Sequence, residues 1–212
     1  MDMKDEFEEA VAAVYSLDFS LVASFRIVSV GGANARFLGA LLAAYDLSGD
    51  VRLLRKAVEL GGMLYKAFDT PNRMPRMWWN ANKAMLGEEQ VAVNSEDIND
   101  MGGMTLEFTR LSLLTGHPKW FDAVQRVAEV LAAHQNLTRL PGLWPCFGKA
   151  DDFNDPHYAG LVAVPTMAAA LAKTVAMVGA DDPLYQRMYQ EAMDAAAKWT
   201  WFRPMTPTNE DI

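Results

Sequence analysis

The sequence predicts an all-α fold assembled from helical hairpins. Three observations carry that reading. Apolar residues recur at helical spacing nearly throughout the chain, no alternating run reaches a useful strand length, and three glycine-centred breaks return about every 65 residues. The breaks are Tyr45-Asp-Leu-Ser-Gly-Asp-Val, Leu113-Leu-Thr-Gly-His-Pro and Ala176-Met-Val-Gly-Ala-Asp-Asp-Pro, centred on Gly49, Gly116 and Gly179.

In chain order, Phe7, Val11, Val14 and Tyr15 make the inner stripe of a first helix. Phe37, Leu38, Leu41, Leu42 and Tyr45 do the same for a second, and Leu53, Leu54, Ala57, Val58 and Met63 for a third. Each break offers a glycine suited to a helix C-terminus, followed by Asp50, Pro118, or Asp181, Asp182 and Pro183, which suit the start of the next helix. Helix pairs repeated in this way bury their faces on neighbouring pairs, giving either an open solenoid or a closed α/α toroid. Two return segments are long and unusual, 69–80 with two prolines and two tryptophans and 140–157 with three prolines and two glycines, and loops of this kind carry function while helices hold them.

The chain has 212 residues, of which 51% are hydrophobic and 22% charged, and its net charge of −8 excludes a phosphate-backbone footprint, so no nucleic-acid partner is expected. No apolar run reaches the ~18 residues of a membrane span. The acidic start, Met-Asp-Met-Lys-Asp-Glu-Phe, does not resemble a secretory signal and runs almost directly into a helix, which suggests a preceding segment. The single cysteine, Cys146, cannot form an internal disulfide and reads as a packing residue.

Several groups could carry chemistry. Trp78, Trp79 and Trp144 suit stacking on a sugar ring, or plug the ends of the helix layer. Acids cluster at Glu96, Asp97 and Asp100, with Glu107 two turns later, and at Asp151, Asp152 and Asp155. Such residues serve either as the paired carboxyl groups of glycoside hydrolysis or as partners of a helix dipole. His117, His134 and His157 have no metal-ligand spacing, so no metal site is expected from them. Gly31-Gly32 reads as a helix entry, and Asn136-Leu-Thr is an N-glycosylation sequon that matters only in the secretory pathway.

Five segments taken together resemble class I α-1,2-mannosidases, glycoside hydrolase family 47, of the fungal type. They are Met3-Lys-Asp-Glu-Phe-Glu-Glu-Ala-Val-Ala-Ala-Val, Asn34-Ala-Arg-Phe-Leu-Gly-Ala-Leu-Leu-Ala-Ala-Tyr-Asp-Leu-Ser-Gly-Asp, Ala67-Phe-Asp-Thr-Pro-Asn-Arg-Met-Pro, Leu106-Glu-Phe-Thr-Arg-Leu-Ser-Leu-Leu-Thr-Gly and Phe202-Arg-Pro-Met-Thr-Pro-Thr-Asn-Glu-Asp-Ile, in family order. The resemblance implies a toroid of seven helical hairpins, with residues 1–212 forming an incomplete (α/α)7 toroid, about half of the domain. It implies trimming of terminal α-1,2-linked mannose from high-mannose N-glycans with inversion, in the secretory pathway. It also implies a calcium cofactor, whose ligand-bearing segment is absent from this chain.

At the chemical positions the sequence departs from the family pattern. Where the family reads Phe-Glu-Thr-Thr-Ile-Arg, with the glutamate as the proposed acid, this chain reads Gly31-Gly-Ala-Asn-Ala-Arg36, placing Gly32 at the acid. The family's second essential aspartate aligns with Pro165 and the glutamate after it with Ala169. Glycine, proline and alanine side chains cannot move a proton, so no family catalytic residue is retained and hydrolysis by the family route is expected to be impaired. Arg36, Asp100 and Glu107 match sugar-contacting positions and are the expected substrate-binding residues, with aspartate replacing a family glutamate at 100. The expected function is α-1,2-mannosidase by descent. The alternatives are a non-catalytic glycan-binding or scaffold protein, or a truncated product without independent function.

Overall fold

The computed structural model describes residues 3–19, 27–152, 159–162, 164–179 and 182–200. Asp155, His157 and the 202–212 motif lie outside the described residues.

The hairpins follow from the turn chemistry. The first pairs α3 (Gly39–Ser48) with α4 (Val51–Tyr65), the second α6 (Ile98–Thr115) with α7 (Pro118–His134), and the third α8 (Val164–Val178) with α9 (Pro183–Thr200). Gly49, Gly116 and Gly179 take φ of 71°, 70° and 67°, the left-handed conformation that a helix C-terminus demands and that glycine adopts without a Cβ clash. The Gly49 and Gly116 amides donate back to Tyr45 O and Ser112 O at 2.7 and 2.8 Å. On the far side of each turn the next helix is also capped. Asp50 accepts from Arg52 N, Pro118 occupies the first turn of α7, and Asp182 accepts from Leu184 N.

The helices stand in two rows. One row holds α2 (Val30–Ala33), the π-helical turn Asn34–Leu38 that runs into α3, then α6 and α8. The other row holds α4, α7 and α9, with α1 (Lys4–Ser16) packed on α4. Between them, Tyr65, Phe68, Phe108 and Trp120 interlock, with Phe68 and Phe108 centroids 5.6 Å apart and Trp120 edge-on to Tyr65 at 5.6 Å. These four rings join α4, α6 and α7 into one core.

The helical stripes hold in their centres and fray at their edges. Val11, Leu38, Leu41, Leu42, Leu53, Ala57 and Met63 are buried as the spacing predicts, whereas Phe7, Tyr15, Phe37 and Val58 are exposed. Val11, Leu41 and Leu53 line a second groove together with Phe7, Phe37 and Arg36. The amphipathic period locates a face and not what covers it.

Among the described residues, five short strands form two small antiparallel sheets: β1 (Val28–Ser29) with β2 (Trp78–Trp79), and β3 (Glu96–Asp97), β4 (Pro145–Gly148) and β5 (Ala159–Val162) in the order β3-β4-β5. With two to four residues each, they are too short to show a period of two in sequence. They gather both proline-rich return segments at one end of the helices, where Asn72 Nδ2 donates to Ala150 O at 2.6 Å.

Candidate functional site

The return segments place the first turns of α2 and α6. Val30 N donates to Met77 O at 2.8 Å, and Met77 N donates to a carboxylate oxygen of Glu96 at 3.1 Å. Glu96 is 2% exposed, and burial pushes its carboxyl up to about 7. One residue on, Asp97 caps α6 by accepting from Asn99 N and Asp100 N at 2.8 and 3.4 Å. Ser29 caps α2 in the same manner, its hydroxyl accepting from Gly32 N at 3.1 Å. Glu96 and Asp97 are therefore structural groups. Of the cluster read from sequence, Asp100 lines a groove.

That groove has a volume of about 450 Å³ and is lined by residues of one helical row only. Gly31, Asn34 and Ala35 contribute from α2 and the π-turn, Asn99, Asp100 and Gly103 from α6, and Ala169 and Lys173 from α8. Asp100 lies so close to the α2 backbone that a Cβ on Gly31 would stand 2.5 Å from its Cγ. Gly31 is needed for this approach, a packing reason that adds to helix entry. Burial raises the Asp100 carboxyl above its ordinary value, and the neighbouring Asp97 charge adds to the effect.

Glu107 sits two turns further along α6 and accepts from Asn34 Nδ2 at 2.7 Å. Burial raises its carboxyl, while the Asn34 hydrogen bond and the charge of Lys173 oppose the rise. Asn34 is 1% exposed, and its Oδ1, like that of Asn99, is buried without a hydrogen-bond partner among the described residues. Both acceptors are enclosed in the packing between the helices, a polarity left unmet among the described residues. π-Turns such as 34–38 also occur often at functional sites.

The sequence-predicted residues thus divide. Asp100 is in the groove and Glu107 supports it through Asn34, whereas Arg36 is exposed and lines the apolar groove against α1 with Phe7, Val14 and Phe37. Gly32 lies in α2 beside the groove residue Gly31, and Pro165 is in the first turn of α8, where its missing N–H is harmless. Asp151 and Asp152 are exposed in a loop. Trp79 and Trp144 are not sugar platforms: both are 2% exposed, and Trp144 Nε1 donates to Leu131 O at 2.8 Å. Their size makes them plugs at the helix ends, and only Trp78 of the three is open to solvent. Cys146 is half-buried against the core. Asn34, Asn99 and Lys173 escaped sequence reasoning, because nothing in their spacing announces a contact between helices.

Among the described residues no group of three or more His, Cys, Asp or Glu side chains gathers as a metal site. The described residues therefore offer no such cluster to hold calcium. No helix among the described residues is long and apolar enough to cross a membrane.

The described architecture matches a solved structure of an α-1,2-mannosidase from Trichoderma reesei, an (α/α)7 barrel, with a TM-score of 0.78 at 23% identity over 92% of this chain and 43% of that one. In sequence, the chain is 40% identical over 148 residues to mannosyl-oligosaccharide 1,2-alpha-mannosidase IA of Sus scrofa, covering 68% of this chain and 21% of the relative. It is 34% identical over 148 residues to the endoplasmic reticulum mannosyl-oligosaccharide 1,2-alpha-mannosidase of Rattus norvegicus, covering 69% and 22% respectively. The chain therefore spans about a fifth of the length of these curated relatives. The profile of glycosyl hydrolase family 47 matches residues 1–212, the whole sequence, and the chain belongs to that family.

Proposed function

We propose that this chain binds the α-1,2-linked mannose of high-mannose N-glycans, in the lumen of the secretory pathway, on a mannosidase scaffold that has lost hydrolysis by the family route. The observation that carries this reading is the makeup of the groove. Among the described residues it contains one carboxyl group, Asp100, backed by the closely approached Gly31, with Gly32 next in sequence. Inverting hydrolysis uses two carboxyl groups about 6.5–9.5 Å apart, one to protonate the leaving oxygen and one to activate water. The groove residue Ala169 aligns with a family glutamate and offers no second carboxyl.

Binding requires less. Asp100 accepts hydrogen bonds from sugar hydroxyls, and Lys173 donates. The names of the mannosidase relatives supply the substrate class and the compartment.

Titration calorimetry of the purified chain with α-1,2-mannobiose tests the proposal. Saturable binding that Asp100→Ala weakens at least tenfold is expected. Absence of binding at millimolar sugar contradicts it and favours the interaction-scaffold reading.

A further inference from the structure

We propose that Asn136 is an N-glycan acceptor, a modification site at the end of α7, in the row opposite the groove. Asn136-Leu137-Thr138 is the one Asn-x-Ser/Thr triplet in the 212-residue sequence, and its middle residue is not proline. The proposal rests on the secretory-pathway reading above, since the donor is found only in that lumen.

The fold accommodates a glycan at this point. Asn136 is exposed in the turn that follows α7, and α7 belongs to the row opposite the one that lines the groove. Its Nδ2 donates to Glu191 on α9 at 2.9 Å, in an exposed contact. An amide nitrogen carries two hydrogens, so one can be replaced by a sugar while the other keeps this hydrogen bond. Leu137, beside it, is 63% exposed, an apolar surface that a bulky, solubilising glycan would cover. The Thr138 hydroxyl, needed while the chain is unfolded, is used after folding. It bonds Leu140 O and Leu143 O at 2.8 and 2.7 Å and secures the turn that presents Asn136.

The step balances with a lipid-pyrophosphate-linked oligosaccharide as co-reactant. Asn136 Nδ2 forms a bond to C1 of the terminal sugar, the bond from C1 to the pyrophosphate oxygen breaks, and the lipid pyrophosphate leaves with that electron pair. Nδ2 gives up one proton.

The test expresses the full chain in eukaryotic cells behind an added cleavable secretory signal, with a second sequon in a C-terminal tag to report luminal entry. Because entry is supplied and reported, failure of the site is distinguishable from failure of the localisation reading. The expected result is two glycans on the chain, one on Asn136→Gln and one on Thr138→Ala, with peptide N-glycosidase collapsing all three to one mobility. Thr138→Ala keeps Asn136 and separates loss of the acceptor motif from loss of the side chain. A tag-glycosylated chain that carries a single glycan, unchanged by either substitution, overturns the proposal.

Discussion

Asn34 Nδ2 donates to Glu107 Oε2 at 2.7 Å and ties the π-turn to the middle of α6 across 73 positions of sequence. The pair holds the groove wall at Asn34 against the helix that carries Asp100.

Removing Asn34 leaves a buried carboxyl without its amide donor. Asn34→Ala is expected to cost about 1–3 kcal/mol in urea denaturation, and Glu107→Gln, which keeps an acceptor oxygen, less. The hydrogen bond opposes the burial that raises the Glu107 carboxyl, so its loss raises that carboxyl further. The unfolded chain then binds fewer protons than the folded one as pH rises, and the Asn34→Ala penalty should grow toward alkaline pH.

Glu96 makes a second pH-dependent contribution. Its folded carboxyl stands at about 7 against an ordinary 4.5, so between those values the folded state holds a proton that the unfolded state has lost. Stability is fully present below the lower value and falls as pH rises through the upper one, by about 1–3 kcal/mol. Glu96→Gln retains an oxygen for Met77 N and cannot ionise. Denaturation midpoints should therefore show the variant more stable than wild type at about pH 8 and close to it at about pH 5.

The hairpin turns depend on left-handed glycine. A Cβ on Gly116 would meet nothing within 4 Å, so Gly116→Ala isolates backbone strain at a φ of 70°. The expected cost is about 1 kcal/mol in thermal denaturation, with Gly116→Asn costing less because asparagine tolerates that conformation.

The tryptophans separate by burial. Trp144→Ala removes a buried indole and its bond to Leu131 O, and should cost about 3–5 kcal/mol in chemical denaturation. Trp78, 57% exposed, should change stability by no more than about 0.5 kcal/mol when replaced by alanine.

These contrasts show what the sequence could reveal. Helix period and turn chemistry are local, and they placed all three hairpins, with Gly49, Gly116 and Gly179 in the conformation predicted. The small sheets went unseen because Glu96–Asp97 pairs with a strand some fifty residues away and is only two residues long. In the site, Asp100 was legible from the family motif, but the partnership of Asn34 with Glu107 was not. An asparagine in an apolar helix looks like a local defect until a carboxyl on another helix is brought to it. Tryptophan in a proline-rich loop was ambiguous for the converse reason, since a plug and a platform share one composition and differ only in what packs over the ring.

Binding without hydrolysis is tested most directly by proton NMR of α-1,2-mannobiose mixed with the purified chain, which reads both halves in one tube. Saturation transfer from protein to sugar, weakened in Asp100→Ala, is expected, with no free-mannose anomeric signal after prolonged incubation at high protein concentration. Accumulating free mannose that disappears with Asp100→Ala would contradict it.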